Sequence, residues 1–253
     1  IILGPAVAVF LNVAIYLPLT IWLWKAPFGA KFRAPENGAK SGSSIRGFSD
    51  IIDAFREAAK NRTLISLTLL AGLGSLFVGN AYQAQMPEFA TFLNEGAGLV
   101  GTSVRYNILF AATAAGALFA GIALEAKNLL QPSLRSAFIL AVLWCAAVIG
   151  FAAASNFVIA VMLLFAVGFT HLSFNAMAQA MVQLSAPAAM RGRILGLYNM
   201  SALGLMTFSG VTIGFGGSLV GVHWSLGLSA ATLLAVILVL AFVIGRGTRA
   251  AAG

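Results

Sequence analysis

The chain has 253 residues, of which 60% are hydrophobic and only 9% are charged, against about 25% charged residues in soluble domains. So much apolar surface exceeds what a soluble core of this length can bury, so the composition excludes a soluble globular domain. The formal net charge of +8 does not indicate a nucleic-acid partner, because the basic residues cluster in particular gaps between apolar stretches.

Seven apolar stretches follow one another, each close to or above the ~20 residues with which an α-helix crosses a ~30 Å hydrocarbon layer. They span residues 2–24, 64–89, 106–124, 136–154, 157–184, 194–219 and 224–244. None alternates in polarity as a barrel strand of ~10 residues would. Because backbone amides find no water inside a bilayer, the stretches are predicted to be helices. The predicted fold class is an all-α polytopic helical bundle, with the lipid bilayer as its partner.

The basic residues fall in alternate gaps between these stretches. If the chain begins outside and ends inside, fourteen of the fifteen are cytoplasmic, and Arg105 is the exception. This bias predicts a multi-pass membrane protein whose central linker and C-terminus are cytoplasmic. An odd number of spans and a first residue that is Ile1 further predict a fragment that begins upstream.

A mostly polar segment, residues 25–63, separates the first span from the other six. Residues 34–47 are rich in Gly, Ser and Pro, which is typical of a flexible linker. Residues 49–62 predict an amphipathic helix on the cytoplasmic membrane surface, with Ser49 as its N-cap. The apolar face of this helix comprises Ile51, Ile52, Phe55, Ala58 and Ala59.

Glycines in and next to the sixth span are spaced four residues apart, which lets helices approach closely. The pairs are Gly192 and Gly196, Gly210 and Gly214, and Gly217 and Gly221. The sixth span is therefore expected to be bent, or unusually close to its neighbours.

The fifth span carries a polar row at strict four-residue spacing, formed by His171, Asn175, Gln179 and Gln183. Steps of four advance the helix by about 400°, so the row stays on one face. A row of this kind either lines a cavity or makes hydrogen bonds between helices, each worth ~0.6 kcal/mol. His171 is either a ligand for protons or substrate, or a neutral imidazole bonded to a neighbouring helix.

Further polar residues lie near the ends of other spans. Asn80 and Gln83 in the second span are candidates for the same cavity, and so are Tyr198 and Asn199 in the sixth. Arg105, Tyr106 and Asn107 open the third span and are candidates for an outer gate, or Arg105 simply reaches lipid headgroups. Arg191 and Arg193 are expected to hold cytoplasmic helix ends, with Glu125 as a possible partner.

No Asp, Glu or Lys lies in the middle of a span, where a charge would cost at least ~2.5–3.5 kcal/mol and so mark a pathway. No acid–base pair, partnered nucleophile or metal-ligand cluster is evident either. The sequence therefore predicts that the protein is not an enzyme and holds neither a metal nor a cofactor.

Three segments resemble the major facilitator superfamily. Residues 187–200 (PAAMRGRILGLYNM) are similar to the start of its eleventh helix, and residues 4–12 (GPAVAVFLN) to the start of its sixth. Both are closest to the branch of enterobactin and macrolide exporters. Gly121, Glu125 and Lys127 lie where the family repeats a cytoplasmic loop motif, although Glu replaces its Asp and the following basic cluster is absent.

The resemblance implies that residues 1–24 are the last helix of an N-terminal half, 25–63 the central linker and 64–253 the six-helix C-terminal half. It further implies a secondary exporter of a small amphipathic molecule such as a drug or siderophore, monomeric when complete. If coupling uses protons, the coupling residue is expected in the missing N-terminal half. Two other classes stay open: a lipid-acting enzyme module and a seven-helix receptor. On the transporter interpretation, Gln179→Leu is expected to impair transport while insertion stays normal.

Overall fold

The computed structural model describes residues 5–25, 48–93, 98–127 and 132–250. All regular elements within these ranges are helical, which confirms the all-α fold class. In chain order they are α1 (Pro5–Lys25), α2 (Phe48–Lys60), α3 (Arg62–Phe77), α4 (Ala81–Phe92), α5 (Gly98–Lys127), α6 (Leu134–Ala152), α7 (Phe157–Ser185), α8 (Arg191–Asn199), a π-helical turn (Met200–Gly204), α9 (Met206–Val220) and α10 (Val222–Ala250).

The chain divides into two compact units, Ile1–Arg46 and Gly47–Gly253. The described part of the first unit is α1, a 21-residue helix with Pro18 inside it. Residues 2–4 of the predicted first span and the linker predicted over 34–47 lie outside the described residues. All the other helices belong to the second unit.

Among the described residues of the second unit, six helical stretches are long and apolar enough to cross a membrane. They are Arg62–Phe92, Gly101–Glu125, Leu134–Ala152, Phe157–Ser185, Arg191–Val220 and Val222–Phe242. These correspond to the last six predicted spans, with ends shifted by a few residues. Because consecutive spans reverse direction, α2 and the start of α8 share one end of the bundle, called here the α2 end. The turn between α6 and α7 marks the other, the α6–α7 end.

The second span is not the single helix that its apolar length predicts. The amides of Val78 and Gly79 both donate to the carbonyl of Gly74, at 3.0 and 2.9 Å, and Gly79 has φ +45°. A glycine in this left-handed conformation ends α3. The carbonyl of Phe77, released by the break, accepts a hydrogen bond of 2.5 Å from Ser229 Oγ of α10. A neighbouring helix thus supplies the partner that the membrane interior does not.

The sixth span is also interrupted, at the π-helical turn Met200–Gly204. Ser75 of α3 donates a hydrogen bond to the carbonyl of Ala202 within this turn. A Cβ built on Gly79 would lie 2.7 Å from Ser209 Oγ, so the break in the second span packs against the sixth span just beyond the turn. The turn ends at Gly204, and Gly210 and Gly214 lie beyond it in α9.

The helix before the second span packs differently from the prediction. Ser49 lies inside α2 rather than capping it, because α2 begins at Phe48. Ala54 and Ala58 are buried where α2 meets α8 and α3. The residues Ile51, Ile52 and Phe55 remain exposed. The small residues of α2 therefore contact the bundle, while the large apolar ones are free to meet lipid.

The closest helix crossing joins α5 and α7, and the predicted glycine pairs do not form it. A Cβ on Gly116 would lie 2.0 Å from the carbonyl oxygen of Phe165, and one on Gly168 would lie 2.0 Å from that of Thr113. The two backbones touch at this point. By contrast, a Cβ on Gly210 would meet nothing within 4 Å, as is also the case for Gly192, Gly196, Gly214 and Gly221. The prediction of close approach at those positions is wrong.

Candidate functional site

A cavity of about 220 Å³ lies between α4, α5 and α7. We call it the polar cavity because five hydroxyl, amide or imidazole side chains line it, among apolar residues. Its lining comprises Tyr82, Gln83, Phe110, Thr113, Ala114, Ala117, Gly168, His171, Leu172 and Asn175. None of these residues carries a fixed charge. The close crossing of α5 and α7 forms part of its wall, since Gly168 belongs to both.

His171 is held in this wall by an aromatic contact. Its ring stacks on the Trp144 indole of α6, with the centroids 4.7 Å apart and the planes 17° from parallel. Trp144 is itself almost completely buried and lies 6.4 Å from the Phe174 ring. Among the described residues the imidazole of His171 has no hydrogen-bond partner, so the expectation of a bond to a neighbouring helix is not met. Stacking fixes the ring plane, and the nitrogens stay available to a ligand.

The polar row on α7 divides into two parts. His171 and Asn175 line the polar cavity, whereas Gln179 and Gln183 are exposed further along the helix and do not. Among the described residues, serine hydroxyls bond to backbone carbonyls of other helices, as Ser75 does to Ala202 and Ser229 to Phe77. The row itself contributes none of them.

The second span contributes one of its two candidates. Gln83 lines the polar cavity, and its amide lies at 3.5 Å from the hydroxyl of the buried Tyr82. Asn80 precedes α4 at the helix break and does not line the cavity. The break sets the start of α4 and therefore decides which of these side chains point between α5 and α7.

Tyr198 and Asn199 do not line the cavity. Tyr198 is only 3% exposed and belongs to the apolar core, where α8 packs against α2, α3 and α7. Asn199 is half-buried immediately before the π-helical turn. Neither residue reaches this cavity, because α8 lies nearer the α2 end than the cavity does, and their role as substrate contacts stays a prediction.

Arg105 contacts two other helical segments at the α6–α7 end. Its Nη1 donates a hydrogen bond of 2.6 Å to the carbonyl of Leu93, just after α4. Its guanidinium lies 4.7 Å from the centroid of the Phe157 ring, the first residue of α7. One side chain therefore ties α4, α5 and α7 together. Neighbouring Tyr106 is half-buried with its ring 6.3 Å from Phe110, and Asn107 is exposed.

Replacing Arg105 with Gln should lower the free energy of unfolding by about 1.5–3 kcal/mol, the usual contribution of a hydrogen bond to a charged group. The measurement is thermal unfolding in detergent, with Arg191→Gln as the control because Arg191 is an exposed arginine at the start of α8. Unchanged unfolding, combined with altered transport by the complete protein, would instead favour the outer-gate interpretation of Arg105.

The cytoplasmic-loop candidates lie on two helices, α5 and α8, that are not neighbours. Gly121 and the exposed Glu125 line a shallow groove of about 620 Å³ with Leu172 of α7, and Lys127 is the last residue of α5. Arg191 and Arg193 are exposed on α8, which packs on α2, α3 and α7 rather than on α5. Between the described residues Glu125 and Arg191 the structure shows no ion pair, because their helices are not neighbours.

Several cavity residues escape sequence reasoning. Tyr82 and Thr113, which line the cavity, are single polar residues in apolar surroundings. Trp144, which is not in the lining but stacks on His171, looks like an ordinary core residue. The sequence does carry a signal for the α5–α7 crossing. Three small residues of α5 follow one another at intervals of four, Ala112, Gly116 and Ala120, and all three are buried. Such a row permits close packing, but nothing in the sequence says which helix it meets.

Comparison with known proteins agrees with the helical architecture. The family model described as Major Facilitator Superfamily matches residues 1–211, which is most of the chain. No curated protein and no solved structure matches the chain significantly. Six membrane-length helices and a cavity between three of them are consistent with the family match. The chain therefore belongs to the major facilitator superfamily of membrane transporters.

Proposed function

We propose that this chain is the C-terminal part, family helices six to twelve, of a secondary transporter that exports a small amphipathic molecule such as a drug or siderophore. The polar cavity is the observation that carries this proposal. Its hydroxyl, amide and imidazole groups offer hydrogen bonds without a fixed charge, and Phe110, Leu172 and two alanines offer apolar contact. This mixture fits an amphipathic molecule better than an ion.

The mechanism is alternating access. Two six-helix halves rock against each other around a site near the midplane, and each half contributes part of that site. His171, Asn175 and Gln83 supply this half's polar contacts. Because the cavity lining holds no carboxylate, proton coupling falls to a residue in the N-terminal half. The complete protein functions as a monomer in the inner membrane.

The distribution of charge supports the orientation. The segment before the second span and the start of α8 are basic, whereas the turns at the α6–α7 end contain few basic residues. The positive-inside bias favours a cytoplasmic location for the α2 end. The chain then starts outside, and the linker and the C-terminus are cytoplasmic. A tag inserted near Ser43 tests this orientation. The tag should be protected from reagents added outside intact cells, and labelling from outside would contradict the proposal.

Efflux by the complete protein tests the function. The coding sequence, with any part that precedes Ile1, is expressed in a bacterial strain that lacks its main efflux pumps. Cells are loaded with a panel of amphipathic fluorescent dyes, and we expect faster loss of at least one dye than from cells with the empty vector. Collapsing the proton gradient should abolish the difference. Dye loss equal to the vector across the panel, or faster uptake, contradicts an exporter of this class.

A further inference from the structure

A second cavity, of about 460 Å³, lies at the α6–α7 end between α4, α6 and α10. It shares no lining residue with the polar cavity and has no part in the proposed transport site. We call it the lateral cavity. Its lining comprises Phe92, Ile149, Ala152, Ala153, Ala154, Ser155, His223, Trp224, Gly227, Leu228 and Ala231. Its volume is that of a site for a drug-sized ligand, about 300–1,000 Å³.

Small side chains create this space. The alanines at the end of α6 face Gly227 and Ala231 of α10, and larger residues at these positions would close the gap between the two helices. Polar groups are few and lie towards one end, at Ser155 in the α6–α7 turn and His223 near the start of α10. The cavity therefore has a mostly apolar interior with a polar rim at the membrane boundary.

The wall towards α4 is already ordered. The Phe89 and Phe151 rings stack with centroids 4.3 Å apart. The His223 imidazole lies against both Phe89 and Phe92, with centroid distances of 4.0 and 4.3 Å. Such aromatic contacts stabilise this wall beyond the burial of apolar area. An occupant thus meets a preformed wall and pays little to order it.

The opposite side opens towards hydrocarbon. Leu228 and Trp224 at the rim are 57% and 72% exposed. The large exposed side chains further along α10 and α6 are also apolar, among them Leu238, Val239, Ile139 and Leu143. Helix faces of this composition contact lipid chains in a membrane. Trp224 is an indole at the end of a span, where such residues mark the interface with the headgroups.

We propose that the lateral cavity holds an acyl chain of a membrane phospholipid, with its headgroup near Ser155 and His223. Apolar cavities do not fill with water, and an empty space of this size forfeits the dispersion contacts of its lining. The cavity opens at the depth where a lipid chain leaves the headgroup region. An apolar chain matches the interior, and the polar rim matches the glycerol and phosphate groups.

Photocrosslinking tests the proposal. The chain is reconstituted into vesicles of palmitoyl-oleoyl phosphatidylcholine with a trace of phosphatidylcholine that carries a diazirine on one acyl chain. After irradiation, labelled peptides are identified by mass spectrometry. We expect label at 152–155 and 227–231 to exceed label at the exposed residues Ile139, Leu143 and Leu238 by about tenfold, which corresponds to a preference of ~1.4 kcal/mol.

A matched pair of variants separates a site from general lipid contact. Ala231→Phe fills the lateral cavity, whereas Ala235→Phe places the same ring one turn away at an exposed position outside it. Label at 152–155 should fall about tenfold in the first variant and stay unchanged in the second. If Ala231→Phe does not fold, Ala153→Leu fills the cavity from the end of α6. Equal label on all lipid-facing positions, or label at 152–155 that survives filling, would overturn the proposal.

Discussion

Replacing Gly168 with alanine should prevent most of the protein molecules from folding. The added methyl group would lie 2.0 Å from the carbonyl oxygen of Thr113, and its other near neighbours are also backbone atoms. No side-chain rotation relieves such a contact, so α5 and α7 must move apart. Overpacking in a core typically lowers the free energy of unfolding by about 1–3 kcal/mol. Because the two backbones must separate at their closest crossing, we expect a loss of about 3 kcal/mol or more.

The measurement is size-exclusion chromatography in detergent followed by thermal unfolding. We expect loss of the monodisperse peak or, for protein that survives, a Tm lower by at least about 6 °C, using ~2–4 °C per kcal/mol for a chain of this size. Gly116→Ala should behave alike, because its Cβ would lie 2.0 Å from the Phe165 carbonyl oxygen.

Gly210→Ala is the matched control for this experiment. It adds the same methyl group to a helix in another membrane span, at a position where the Cβ meets nothing within 4 Å. We expect its Tm to equal or slightly exceed that of the original chain, since alanine is the better helix former. If Gly168→Ala matched Gly210→Ala, the close crossing of α5 and α7 would not exist in the membrane.

Asn175→Leu should reduce efflux by the complete protein about tenfold or more, with normal insertion. Asn175 lines the polar cavity together with His171 and Gln83. Removing its amide leaves a polar group of the bound molecule without a partner, which costs about 1–3 kcal/mol. The change should leave folding intact, because Asn175 is only half-buried and none of the described bonds between helices involves it.

The assay compares initial rates of dye efflux at equal amounts of membrane-inserted protein. Thr232→Leu is the control: it makes a polar-to-leucine change at an exposed position of α10, where the hydroxyl bonds only within its own helix. Gln179→Leu adds information on the extent of the site, since Gln179 lies outside the cavity lining. An equal loss in Gln179→Leu would mean that the site extends along the whole row. Unchanged efflux in Asn175→Leu would remove the polar cavity from the transport path.

The helical class, the last six spans and the amphipathic character of α2 follow directly from the order of residues. An apolar stretch of some twenty residues has one stable form in a bilayer, because its backbone groups must bond within the segment. That requirement concerns one segment alone, so the helix can be predicted without knowing which helices pack against it. The row from His171 to Gln183 is local in the same sense, since helical periodicity alone puts it on one face of α7.

Which members of that row meet other helices depended on packing. Asn175 lines the polar cavity with Gln83 and Thr113, whereas Gln179, further along α7, is exposed and lies outside the cavity lining. Ser229 donates to the Phe77 carbonyl at the break of the second span, and Ser75 donates to the Ala202 carbonyl in the π-helical turn of the sixth span. In each pair the two residues lie more than a hundred positions apart in sequence. Close approach occurs at Gly168 and not at Gly210, because a glycine permits contact only where another backbone lies within reach. The spacing of glycines along one helix does not determine which other helix lies against them, because tertiary packing decides that.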